Sequence, residues 1–152
     1  MAIMPIEWGK IREYAVSTAN TNPDYLDNPS APIPPTFLST VVFWDEPGRG
    51  MRTPEAEAAI AQLGPGEDFD IRNVLSLEQE YRFTGPLPRA GERLLITHRF
   101  DGAEVKEGKR GGRMLFTRFA VEFRDPETGD LRAECLYTSA RTSQAAVEGR
   151  AE

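Results

Sequence analysis

Asn20, Asn22, Pro23, Asp24 and Tyr25 crowd into a few residues at the end of the first predicted helix. Their side chains are short and polar, apart from one phenol. Pro23 biases Asn22 away from the helical region, so the helix must stop near Asn20. Asn20 tolerates the left-handed conformation that closes many helices. Held on a fixed turn, such groups can position a reacting carbonyl or a hydroxyl. The same residues also read as a helix C-cap followed by an Asn-Pro turn with no chemistry at all. Asp24 and Asp27 flank the turn and offer carboxylates, although aspartates in turns commonly bind backbone N–H groups. The other reactive side chains are scattered. His98 is the one histidine and Cys135 the one cysteine. His98 falls in the middle of a predicted strand, where a structural role is the ordinary one. A single histidine and a single cysteine cannot build a His/Cys zinc site within the chain, and one cysteine forms no internal disulfide.

Composition narrows the functional classes. The chain has 152 residues, 39% hydrophobic and 28% charged, which suits one domain with a packed core. The formal net charge of −6 argues against nucleic acid as the main partner, because phosphate backbones call for a basic face. A carrier phosphate needs only two or three local cations. Lys109, Arg110 and Arg113, set among Gly108, Gly111 and Gly112, supply them in one predicted loop. No apolar run approaches membrane-spanning length, and Met1 to Arg12 lacks a signal-peptide core, so the expectation is a soluble, cytoplasmic protein.

The elements that must position these groups follow from periodicity and turn chemistry. Lys10 to Ala19 reads as an amphipathic helix with Ile11, Tyr14, Ala15 and Thr18 on one face. Tyr25 to Pro35 carries Pro29, Pro32, Pro34 and Pro35 and reads as an extended connection. Phe37 to Trp44 is the most apolar long run and the candidate for a central, mostly buried helix, since a helix enclosed by a sheet is apolar nearly all round. Residues 45–70 are rich in Gly and Pro and read as an insertion or lid. Within them Thr53 caps a short helix that begins at Pro54 and runs to Leu63. Strands are predicted over Glu78 to Thr84, Glu92 to Phe100, Arg113 to Arg124 and Leu131 to Thr142. Asp101-Gly102 reads as a tight reversal and Asp125 to Asp130 as a hairpin turn. Residues 144–152 read as a frayed tail. The order predicts a single α+β domain over 1–152, with an antiparallel sheet wrapped around a central apolar helix.

Several stretches then resemble one family. Asn20 to Tyr25 resembles the Gly-Asp-x-Asn-Pro-x-His turn of the MaoC-like (R)-specific enoyl-CoA hydratases, which have the hot-dog fold. Asn22-Pro23 match. Asn20 stands at the position of the catalytic Asp, Tyr25 at that of the catalytic His, and Ala19 at that of the Gly. Glu78 to Tyr81 followed by Pro86 to Leu94 resembles the strand-turn-strand signature of the family. Ala31 to Phe37, Lys106 to Phe116 and Glu122 to Glu134 resemble the N-terminal MaoC-like, or fatty-acid-synthase-like, dehydratase domains, which include non-catalytic subunits of (3R)-hydroxyacyl dehydratases.

The resemblance implies an acyl-thioester hydratase or dehydratase. Hydration of a 2-enoyl thioester needs a base to activate water, an acid to protonate Cα and an N–H to polarise the carbonyl. An amide does not titrate, so Asn20 is no base. A free phenol keeps its proton to about pH 10, so Tyr25 is a poor replacement for His. Ser76 stands near a place where many relatives carry a His. The chain is therefore expected to lack the Asp/His pair. Asn22, Pro23, Tyr25, Thr36 and Phe37 are the implied substrate-binding positions, and Lys109, Arg110 and Arg113 the implied phosphate contacts. No metal and no cofactor is implied. The expected ligand is an acyl-CoA or acyl-ACP, in a heterodimer or heterotetramer with a catalytic MaoC-like chain. The alternative is a non-catalytic hot-dog homodimer that binds acyl-CoA or another apolar ligand. An autonomous hydratase that uses Asp24 or Tyr25 is the third reading.

Overall fold

The computed structural model describes residues 2–61, 74–108 and 112–142. Strand β1 (Ala2–Pro5) leads into helix α1 (Trp8–Ser17) and the one-turn helix α2 (Pro23–Leu26). Two 3₁₀ helices follow, Phe37–Phe43 and Pro47–Arg52, and then helix α3 (Pro54–Ala61). The remaining strands are β2 (Val74–Phe83), β3 (Arg93–Gly108), β4 (Gly112–Arg124) and β5 (Leu131–Thr142). The five strands form one antiparallel sheet in the order β1-β3-β4-β5-β2.

The chain divides into two compact units. Met1–Pro47, Tyr81–His98 and Val121–Cys135 make the first; Gly48–Glu80, Arg99–Ala120 and Leu136–Glu152 make the second.

In the first unit, β1 turns the apolar lead into an edge strand. It runs antiparallel to β3, with Met4 opposite Leu94 and Ala2 opposite Ile96. Four residues are too few for a periodic signal, which is why this strand is not legible in the sequence. Helix α1 buries Ile11 and Ala15, one turn apart, as the spacing predicts. Thr18 is not on the buried face; it is the C-cap, and its hydroxyl donates to the Tyr14 and Ala15 carbonyls. The left-handed residue is Ala19, at φ 55°, rather than Asn20. The Ala19 N–H meets the Val16 carbonyl and the Asn20 N–H meets the Ala15 carbonyl, the two bonds of a Schellman closure.

An alanine at this φ costs about 1–2 kcal/mol relative to glycine, partly offset by the greater unfolded-state entropy of glycine. Ala19→Gly is therefore expected to stabilise the chain by up to about 1 kcal/mol, or about 2–4 °C in Tm. A thermal melt that falls or stays unchanged would refute the strain.

The apolar run differs from expectation. Phe37–Phe43 is a 3₁₀ helix, not an α-helix, and it is buried on one side only. Phe37, Leu38 and Val41 face inward, while Val42 is 58% exposed and Phe43 is 79% exposed. The side chains explain the tighter winding. The Thr40 hydroxyl donates to the Phe37 carbonyl at 2.8 Å, and Thr40, Val41 and Val42 are all β-branched, which disfavours a regular α-helix. The Ser39 N–H accordingly bonds the Thr36 carbonyl and the Trp44 N–H bonds the Val41 carbonyl, each across three residues. The proline-rich connection is held by backbone pairing with Pro88 to Ala90: the Ile33 N–H meets the Pro88 carbonyl, and the Ala90 N–H meets the Ala31 carbonyl. The hairpin turn is as predicted, with Gly129 at φ 78° and the Asp125 N–H on the Asp130 carbonyl. The Thr128 and Glu127 N–H groups hold the Asp125 carboxyl below the usual carboxylate range.

In the second unit, Ala56 N–H bonds the Thr53 hydroxyl, so the predicted cap of α3 is present. The helix is described to Ala61, and its predicted end at Leu63 lies outside the described residues. Gly50 is buried, and a Cβ there would lie 3.3 Å from the Arg99 carbonyl oxygen and 3.5 Å from Phe119 Cβ. Phe119 in turn stacks on Tyr137 with ring centroids 4.9 Å apart. Asp101-Gly102 makes no reversal. Strand β3 continues through it to Gly108, with Gly102 at φ 112° absorbing the irregularity.

Candidate functional site

The first unit carries the candidate turn. Its backbone is fixed by two successive side-chain caps. Asn20 Oδ1 accepts the Asn22 N–H at 3.0 Å, and Asn22 Oδ1 accepts the Asp24 N–H at 3.0 Å. Asn22 is the N-cap of α2 and Pro23 is its first residue, so the proline that ends one helix starts the next. Both side-chain carbonyls are thus spent on backbone N–H groups. An aspartate oxygen would make the same bond at position 20. Asn20 and Tyr25 are half-buried, while Asn22, Pro23, Asp24 and Asp27 are exposed.

Helices α1 and α2 pack together beside this turn. Thr36 and Phe37 are tied to α1 by Tyr14, a residue that sequence reasoning placed on a helix face but not at the site. The Tyr14 hydroxyl lies 2.8 Å from the Thr36 hydroxyl and donates to the Thr36 carbonyl at 3.1 Å. Its ring meets Phe37 edge to face, with centroids 5.5 Å apart. Thr36 is exposed and Phe37 is fully buried. Tyr81 of β2 lies near these elements, in hydrogen-bonding contact with Ser39 and Cys135. Burial, with the Cys135 thiol beside it, raises its phenol above the ordinary range.

His98 has a partner that spacing could not reveal. Its Nε2 lies 3.1 Å from Asp45 Oδ2, and both side chains are buried. Asp45 follows the 3₁₀ helix and His98 follows Leu94 and Ile96 on the buried face of β3, so only the fold brings them together. Lys109 and Arg110 lie outside the described residues, as does the side chain of Arg113. Ser76 is exposed on β2, in the second unit. Among the described residues, no group of three His, Cys, Asp or Glu side chains could hold a metal, and no helix is long and apolar enough to cross a membrane.

Residues 3–127 match the sequence family described as FAS1-like, dehydratase domain region. The chain belongs to that family. It is also 30% identical, over 114 residues, to a UPF0336 protein of Streptomyces coelicolor, covering 68% of this chain and 67% of that one. Among solved structures, the ChsH1-ChsH2 complex of Mycobacterium tuberculosis is similar at a TM-score of 0.61 and 16% identity, covering 93% of this chain and 85% of that one. The HadBC (3R)-hydroxyacyl-ACP dehydratase complex of the same organism gives 0.54 and 15%, covering 91% and 89%. A MaoC-like dehydratase of Rhodospirillum rubrum gives 0.55 and 11%, covering 94% and 88%. The likeness to these structures shows the α+β hot-dog fold, and the dehydratase-region family agrees with the resemblance carried by the strand signatures.

Proposed function

We propose that the chain is the non-catalytic subunit of an acyl-thioester hydratase or dehydratase, and that a partner MaoC-like chain supplies the Asp and His. The observation that carries this reading is the turn itself. Its caps, its proline and its backbone bonds fix the shape of the turn, while an amide and a phenol stand at the positions that the resemblance assigns to a base and an acid. In this reading Asn22, Pro23, Tyr25 and Thr36 face the acyl thioester. Phe37, buried against Tyr14, supports Thr36 from the core.

A partner is supported by exposed apolar surface. Strand β2 is a sheet edge of ten residues, with Leu75 55% and Leu77 50% exposed, and long edges with apolar side chains pair with other strands. Two of the similar structures are complexes of unlike chains by their names, HadBC and ChsH1-ChsH2. Co-expression with a MaoC-like chain that keeps the Asp/His turn is expected to yield a stable heteromer that hydrates 2-enoyl thioesters. A homodimer that binds acyl-CoA and ignores every such chain would favour the purely binding reading instead.

Lys109, Arg110 and Arg113 are proposed to meet the carrier phosphate. Charge reversal at Lys109 and Arg110 is expected to weaken acyl-CoA binding and to flatten its salt dependence. Affinity and salt dependence both unchanged by the reversal would assign these cations to solvent.

A further inference from the structure

We propose that Asn20 is a ligand-binding residue whose side-chain nitrogen donates a hydrogen bond to the carbonyl oxygen of an acyl thioester. The assignment rests on the acyl-thioester reading of the chain and names the atom of the ligand that the turn holds.

The orientation of the Asn20 carboxamide is fixed by its neighbour. A backbone N–H only donates, so the side-chain atom facing the Asn22 N–H at 3.0 Å is Oδ1, and Nδ2 lies on the other arm of the amide plane. A flip of the amide would set two donors against each other. The backbone around it is held as well. The Asn20 N–H is bonded to the Ala15 carbonyl in the closure of α1. Asn22, which Asn20 caps, itself caps Asp24 and precedes Pro23, whose ring fixes φ. Asn20 is half-buried. Its Nδ2 meets no acceptor among the described residues, and it is not one of the polar atoms sealed from solvent. The turn thus presents two N–H bonds of fixed direction that a ligand can reach.

This arrangement reverses the polarity that the resemblance assigns to position 20. A carboxylate there would offer a second acceptor and a negative charge. The amide keeps the capping oxygen and offers a donor in place of the other, so the complementary group on a ligand is an acceptor oxygen. In an acyl thioester the acceptor common to every acyl chain is the carbonyl oxygen. A side chain already fixed by its own cap loses little rotamer freedom on binding, so more of the hydrogen bond is realised as affinity. The expected contribution is about 2- to 12-fold, the equivalent of about 0.5–1.5 kcal/mol at 1.4 kcal/mol per decade.

Octanoyl-CoA and S-octyl-CoA form the test, because the thioether keeps the carrier, its phosphates and the chain and lacks only the carbonyl oxygen. Calorimetric titration is expected to show octanoyl-CoA binding more tightly by that factor. In ¹H–¹⁵N spectra the Asn20 side-chain NH₂ pair is expected to shift with octanoyl-CoA and to stay in place with S-octyl-CoA. Asn20→Asp keeps an oxygen on the Asn22 N–H and replaces the NH₂ group with a second oxygen. The preference for octanoyl-CoA is therefore expected to vanish or reverse in this variant while S-octyl-CoA still binds, whereas a purely structural Asn20 would weaken both ligands alike. Equal binding of the two ligands by the wild-type chain, an NH₂ pair that ignores octanoyl-CoA, or a preference that survives in Asn20→Asp overturns the assignment and leaves the acyl-thioester reading standing. Failure of both ligands to bind overturns both. The wild-type titrations and spectra decide the matter even if the variant does not fold.

Discussion

Purified without a partner, the chain is expected to hydrate 2-enoyl thioesters about 10²–10⁴-fold more slowly than the assembled complex, the loss that follows removal of a general acid or base. Asn20 cannot take a proton from water, and its Oδ1 is already committed to the Asn22 N–H. The double change Asn20→Asp with Tyr25→His restores the missing groups on a backbone that accepts them, because an aspartate oxygen can cap Asn22 as the amide does. Weak recovery is the expected result. The donors that polarise the thioester carbonyl and the packing that aims both side chains must also be right, and a site loosely supported by its surroundings works poorly. Addition of a partner bearing the intact Asp/His turn is expected to give full activity without any substitution. The measurement is initial-rate hydration by the lone chain, the double variant and the mixture. Robust turnover by the lone wild-type chain, lost in Asp24→Asn or Tyr25→Phe, would overturn the non-catalytic reading in favour of an autonomous hydratase.

What the sequence showed and what it hid separate along a physical line. Signals confined to a few neighbouring residues were legible. Thr53-Pro54 starts α3, Gly129 closes the Asp125 to Asp130 turn, and the alternation from Leu115 to Phe123 buries Thr117, Phe119, Val121 and Phe123 as one face of β4. The winding of an apolar run was harder to read. The run from Phe37 to Phe43 winds as a 3₁₀ helix with Val42 and Phe43 outward, although it reads as uniformly apolar. Gly102 has the composition of a turn but lies within a strand, because a glycine at positive φ serves either purpose. Contacts set by the fold left no local trace. Asp45 and His98 are far apart in sequence and meet only because the end of the 3₁₀ helix lies against β3. The same holds for Tyr14 and Thr36. The turn that the resemblance singles out is held by the Asx caps at Asn20 and Asn22.

Phe37→Ala is expected to destabilise the chain by about 3–5 kcal/mol, the cost of removing a large buried ring from a core that cannot fully collapse. Phe37 is fully buried at the start of the 3₁₀ helix, with its N–H on the Pro34 carbonyl and its ring edge-to-face with Tyr14. The aromatic contact accounts for about 0.5–1.5 kcal/mol of that loss, and the rest is apolar transfer and the cavity. A domain of this size has about 5–15 kcal/mol in total, so the variant sits close to unfolding. Urea denaturation is expected to show a lower midpoint at nearly unchanged slope, since little of the surface exposed on unfolding changes. Phe43→Ala is the matched control from the same helix. At 79% exposure it is expected to cost the lone chain less than about 0.5 kcal/mol. If Phe43 meets a partner chain, that variant instead weakens assembly of the complex, because aromatic anchors dominate interface energetics. Equal losses from the two variants in the lone chain would contradict the one-sided burial of this helix and with it the orientation that leaves Val42 and Phe43 open to a partner.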